Sequence, residues 1–108
     1  MDFNFENVFN DMNKAFTDGL SGEGEHIVTF GRDILDQTKT KLEQLSTRLL
    51  AGSIDKDQFD LRIGDIKMTM EDALLAEEVT IKASAQKAIN GAIDVLTSAL
   101  LNVLKKPI

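Results

Sequence analysis

Leu49-Leu50-Ala51-Gly52-Ser53-Ile54-Asp55-Lys56-Asp57-Gln58-Phe59 reads as the end of one helix, a short turn and the start of the next. Gly52 stands at C′, where the chain leaves a helix in the left-handed conformation that glycine adopts without strain. Asp55 is the expected N-cap of the following helix. Gln58, three residues on, completes an aspartate version of the capping box. Ile54 and Phe59 then occupy the N′ and N4 positions of a hydrophobic staple. A connection this short sets the flanking helices antiparallel. The expected architecture is therefore all-α, an antiparallel helical hairpin extended at both ends.

The same residues resemble a known family. Leu42-x-x-Leu45, Leu49-Leu50-x-Gly52-x-Ile54 and Phe59 are similar to the leucine-rich helix, Gly-x-Ile turn and second-helix Phe of the SHOCT short helical-hairpin module, over residues 42–68. In place of that family's Glu residues before the Phe stand Lys56, Asp57 and Gln58. The resemblance implies a role in oligomerisation or interaction and supplies no catalytic residues.

Outward from the turn, residues 25–51 form the expected second helix. Leu35, Thr38, Leu42, Leu45 and Leu49 follow a heptad-like spacing along it, and its length is about 40 Å. Residues 55–104 lack proline and read as one third helix of about 75 Å. Phe59, Met70, Ile81, Ala92 and Val103 repeat every eleven residues, as do Ile63, Leu74, Ala85 and Leu96. An eleven-residue period gives about 3.67 residues per turn and a nearly straight packing seam. Gly91 is the one place where a bend is expected. The series Ile66, Glu77, Ala88 and Ala99 carries a carboxylate among apolar positions, which marks Glu77 as a registry device if it is buried.

Before the second helix, residues 3–18 form a short amphipathic helix with Phe5, Phe9, Met12 and Phe16 on one face, an N-terminal docking face. Gly19, Gly22 and Gly24 make residues 19–24 a flexible linker, across which the first helix can fold back or swap onto a neighbour. The whole, 1–108, is one helical domain. Pro107 is the single proline and the expected stop to helix formation.

A third helix twice as long as the second leaves its distal half uncovered. The expected cover is the first helix, a second copy of the chain, or both, because soluble monomers avoid large apolar patches. Ile81, Ala85, Ala88, Ala92, Leu96, Ala99, Leu100 and Val103 form the expected oligomer interface, and a homo-oligomeric bundle is the expected assembly. On that reading, Asp at Leu96 and Leu100 dissociates the oligomer.

Charge narrows the function classes. The formal net charge is −6, which argues against nucleic acid as a partner. Its sign alternates in blocks: residues 1–26 hold six acids against Lys14, 27–51 four bases against three acids, 52–78 eight acids against three bases, and 79–108 four bases against Asp94. The blocks are either solvated faces or devices that choose partners. A membrane-active helix is the rival reading, using the Phe face or the C-terminal segment. Lys87, Asn90, Asp94 and Asn102 interrupt any span of about 20 apolar residues there. A protein partner other than the chain itself fits the same surfaces.

There is no cysteine, so no disulfide, thiol nucleophile or thiolate site. His26 is the only histidine and reads as a surface residue. Asp55-x-Asp57 lacks the glycine and terminal Glu of a calcium loop. No metal, cofactor or enzymatic activity is expected. Met1-Asp2-Phe3 is unlike a signal peptide; a cytoplasmic location is expected, and export without a leader is compatible with the same residues.

Overall fold

A computed structural model describes residues 3–105. They form four α-helices and two 3-10 turns, with no strand among the described residues. The helices are α1, Phe5–Leu20; α2, Glu25–Leu50; α3, Lys56–Glu77; and α4, Lys82–Lys105. The protein is all-α. Pro107, expected to stop helix formation, lies outside the described residues, as do the outermost positions of the expected domain 1–108.

α1 starts where Asn4, in extended conformation, accepts a hydrogen bond from the Asn7 N–H at 3.1 Å. Phe5, Phe9, Met12, Phe16 and Leu20 are all buried, so the expected docking face enters the chain's own core. The helix runs two residues past the expected end at 18, because Gly19 lies against α4. A β-carbon at Gly19 would sit 2.5 Å from the Ala88 Cα. The segment expected as a flexible linker is ordered: a 3-10 turn spans Ser21–Glu23, and Gly24, at φ 96°, leads into α2.

The turn after α2 closes hydrogen bond by hydrogen bond. Gly52, at φ 75°, donates to the Leu49 carbonyl at 3.1 Å, and Ser53 donates to the Arg48 carbonyl at 2.9 Å. This is the Schellman pattern, which satisfies carbonyls that the ending helix leaves free. Asp55 accepts from the Gln58 N–H at 2.8 Å, and the Gln58 side chain accepts from the Asp55 N–H at 3.0 Å. Phe59 is buried and Ile54 half-buried against the same core.

The single third helix expected over 55–104 is two helices. α3 ends at Glu77, Glu78 is extended (φ −149°, ψ 106°), and Val79–Ile81 forms a 3-10 turn before α4. The Glu78 carboxylate accepts from the Thr80 N–H and hydroxyl. Val79, Thr80 and Ile81 are consecutive β-branched residues, each disfavoured in a helix by restricted χ1 freedom. Breaking there lets α4 turn back alongside α3 and bury against α1. Gly91, the expected bend, is uninterrupted helix; its missing side chain faces Ala15 of α1 at ordinary contact distance.

α1 packs most extensively on α4, with α2 against α3, α1 against α2 and α3 against α4. Pairing Gly19 with Ala88 and Ala15 with Gly91 makes α1 and α4 antiparallel. Glu6 bonds Lys39 while Gly31 meets Phe16 and Leu20, so α1 and α2 are antiparallel as well. One core of buried residues runs through all four helices. The accessible surface is 6509 Å². A monomer of this mass is expected to expose roughly 5,900 Å², so the chain is slightly more open than the average for its size.

Candidate interaction surface

The residues expected to form the oligomer interface lie mostly inside the chain. Ile81, Ala85, Ala88, Ala92, Leu96 and Leu100 are buried, and Ala99 and Val103 are half-buried. In this fold they are core positions, and the small residues among them serve the contact between α1 and α4. The physical reason is the bend at 78–81. It brings the apolar half of the expected long helix back onto the Phe face of α1, so that each covers the other.

The exposed large apolar residues among those described are Leu61 and Met68 on α3, Val79 at the bend and Leu104 near the end of α4. Leu61 is 73% exposed and Met68 66% exposed, both on α3 and one heptad apart. Leu75, a further heptad on, is half-buried. Steps of seven return to nearly the same side of a helix, so Leu61 and Met68 form an outward ridge, whereas Leu75 packs against the core. The inward side of α3 carries Phe59, Ile63, Ile66, Met70 and Leu74, all buried. α3 is thus apolar on two opposite sides, of which one fills the core and the other faces outward. Gly64 lies between Leu61 and Met68, and a β-carbon built on it meets nothing within 4 Å. The glycine therefore answers no packing need inside the chain.

Beside this ridge runs the groove between α2 and α3. Its end nearest the 51–55 turn is lined by Lys41, Gln44, Leu45, Arg48, Arg62, Asp65 and Ile66. It continues past Ile34, Thr38, Thr69 and Ala73. On the other flank, Gly64, Lys67, Met68 and Glu71 of α3 border a depression with Gln86, Ile89 and Asn90 of α4.

Charge blocks form few direct pairs. Among the described residues, Lys39 pairs with Glu6 at 3.0 Å, His26 with Glu77 at 2.8 Å, and Lys56 with Asp60 at 2.8 Å within α3. Glu77 is exposed, so it is no buried registry device; its partner is the one histidine, across the start of α2. Exposed pairs of this kind are worth about 0–1 kcal/mol. The four turn residues Gly52, Ile54, Asp55 and Gln58 hold the α2–α3 connection and present no converging chemistry. No group of three or more His, Asp or Glu side chains converges among the described residues.

A second apolar feature lies on α4. The segment Val79–Lys105 is 27 residues long and contains an 18-residue window of mean hydropathy 1.2, as a membrane-crossing helix does, and a third of that window is buried. Core helices meet the same criterion. Val79 itself is 75% exposed at the bend.

Compared with known proteins, the chain matches no family model, no curated protein and no solved structure.

Proposed function

We propose that the chain is a non-enzymatic interaction protein that assembles with copies of itself by helix packing, using the outward side of α3. The observation that carries this reading is the second apolar face of α3. Leu61 and Met68 are large, highly exposed and aligned, with an open glycine between them. Exposed apolar residues scattered singly need no explanation, whereas aligned ones beside a groove mark a contact surface. The resemblance of residues 42–68 to the SHOCT hairpin points the same way, since it implies oligomerisation or interaction. The result is a helical bundle in which the closed core of each copy stays closed and the contact is added outside it.

The test is sedimentation of the wild type beside the Leu61→Asp/Met68→Asp variant. Both positions are exposed, so the variant keeps its circular dichroism spectrum. Assembly lost in the variant supports the reading; assembly unchanged, or absent in the wild type, rejects it.

A second reading is membrane-surface binding through α4, favoured by the apolar segment Val79–Lys105. It requires α4 to leave α1, because the α4 core positions are covered. Flotation with anionic and with neutral liposomes decides it: failure to float with either ends this reading.

A further inference from the structure

The break at 78–81 interrupts the helix without shifting its phase. Ile63 and Leu74 of α3 and Ala85 and Leu96 of α4 follow one another in steps of eleven residues, and all four are buried. The row Phe59, Met70, Ile81 and Ala92 crosses the break in the same step and is buried as well. The side on which α3 and α4 border one another obeys the same rule. Gly64, Lys67 and Met68 of α3 line a depression with Gln86, Ile89 and Asn90 of α4, and each of these α4 residues stands two eleven-residue steps after its α3 counterpart. Steps of eleven return to nearly the same side of a continuous helix. Joined end to end, α3 and α4 therefore keep both their core side and their mutual side aligned.

Little holds the break. No proline or glycine stands between Asp65 and Asn90. Glu77, Glu78, Val79 and Thr80 are all exposed, and the bend's own bonds are those that the Glu78 carboxylate accepts from the Thr80 N–H and hydroxyl. The connection between α1 and α2 adds two exposed bonds, His26 to Glu77 and Ser84 to Glu23. Exposed contacts of this kind contribute little. The larger part of the packing of α4 is on α1, where Gly19 meets Ala88 and Ala15 meets Gly91. A second copy of the chain carries the same face on its own α1.

We infer that two copies exchange α4. α3 and α4 straighten into one helix, and α4 leaves its own α1 for the equivalent face of a second chain, which returns its own α4. The contacts of α4 in the closed chain re-form between chains, so the fit of the occupant is the fit already seen within one molecule. Such an exchange is a low-cost route to a dimer because it requires no new core. The two long helices then run antiparallel. Met68 and Asn90 lie eleven residues to either side of Val79, so the twofold axis passes beside Val79. That side chain, 75% exposed at the bend, then covers its counterpart. The exchange goes beyond the contact proposed for the outward side of α3 and does not depend on it.

The chain has no cysteine, so spin labels are placed through Asp57→Cys and Ser98→Cys, at two exposed positions. The doubly labelled chain is refolded from urea at high concentration with an excess of unlabelled chain, and dimer is separated from monomer. Pulsed electron spin resonance then reads the distance between the two labels of one chain. In the closed chain both positions lie within the molecule's 46 Å length. In the straightened helix they stand about 62 Å apart. The dimer is expected to show the long distance and the monomer the short one. Val79→Pro is expected to abolish the dimer and keep the closed fold. The extended Glu78 (φ −149°, ψ 106°) suits a residue before proline, whereas proline inside a continuous helix breaks it. Glu78→Ala/Thr80→Ala removes the bonds of the bend and favours helix, and is expected to raise the exchanged fraction several-fold. A dimer that keeps the short distance, in the wild type and in Glu78→Ala/Thr80→Ala, overturns the exchange and leaves assembly on α3 standing. No dimer in either protein overturns both. A long distance that persists in Val79→Pro overturns the hinge at 78–81.

Discussion

Gly19 of α1 and Ala88 of α4 touch so closely that neither position tolerates growth: a β-carbon on Gly19 would lie 2.5 Å from the Ala88 Cα and 2.8 Å from its Cβ. The neighbour in conflict is backbone, which cannot swing aside as a side chain can. Overfilling a packed core costs about 1–3 kcal/mol, and Gly19→Ala is expected at the upper end of that range. Urea unfolding measures it, through a lower midpoint at unchanged slope.

Gly64→Ala has the opposite expectation. Its β-carbon meets open space, and alanine in a helix interior is favoured over glycine by roughly 0.5–1 kcal/mol. The folded chain should gain that stability in the same urea experiment. If copies pack on the outward side of α3 as proposed, the added side chain stands in the contact, and assembly should weaken while the fold strengthens.

The connection between α2 and α3 predicts a matched pair of losses. Gly52 is at φ 75°, where a residue with a β-carbon is strained by about 1–2 kcal/mol. Asp55 satisfies the Gln58 N–H, and removing an N-cap costs about 1 kcal/mol. Gly52→Ala and Asp55→Ala should each lower the thermal midpoint without changing the helical signal of the folded state.

Leu96→Asp separates core from contact surface. Leu96 has no exposed surface, so the carboxylate has neither water nor a partner. Burying an unpaired charge costs several kcal/mol, a large share of the roughly 5–15 kcal/mol that holds a domain folded. The variant should lose helical circular dichroism at room temperature. A well-folded Leu96→Asp protein that merely dissociates would return the interface to α4.

The turn and the helix class were legible in the sequence because they depend on neighbours within five residues. Gly52, Asp55 and Gln58 carry their structure locally, and each occupies the predicted cap position. The eleven-residue series was legible only in part. Ile63, Leu74, Ala85 and Leu96 are all buried, yet they belong to two helices, not one. Periodicity reports which side of a helix is buried; it is silent on whether the helix continues. The local signal for the break is the β-branched run Val79-Thr80-Ile81, against which stand the absence of proline and the unbroken period.

The surface on α3 was hidden for a related reason. Leu61, Met68 and Leu75 repeat every seven residues, but a seven-residue row inside an eleven-residue pattern reads as part of a broad apolar face. Only the fold separates the two sides, by burying Phe59 and Met70 and leaving Leu61 and Met68 outside. Gly19, beside Gly22 and Gly24, likewise carries the local signature of a linker. Its role depends on Ala88, far along the chain, and no local pattern records that proximity.

The most direct measurement is the molar mass of the wild-type protein in solution, by light scattering across a concentration series. Self-assembly through α3 predicts a mass that rises with concentration from 11.9 kDa toward a dimer, with the helical spectrum constant throughout. A mass that stays at that of one chain up to the highest concentration would contradict it.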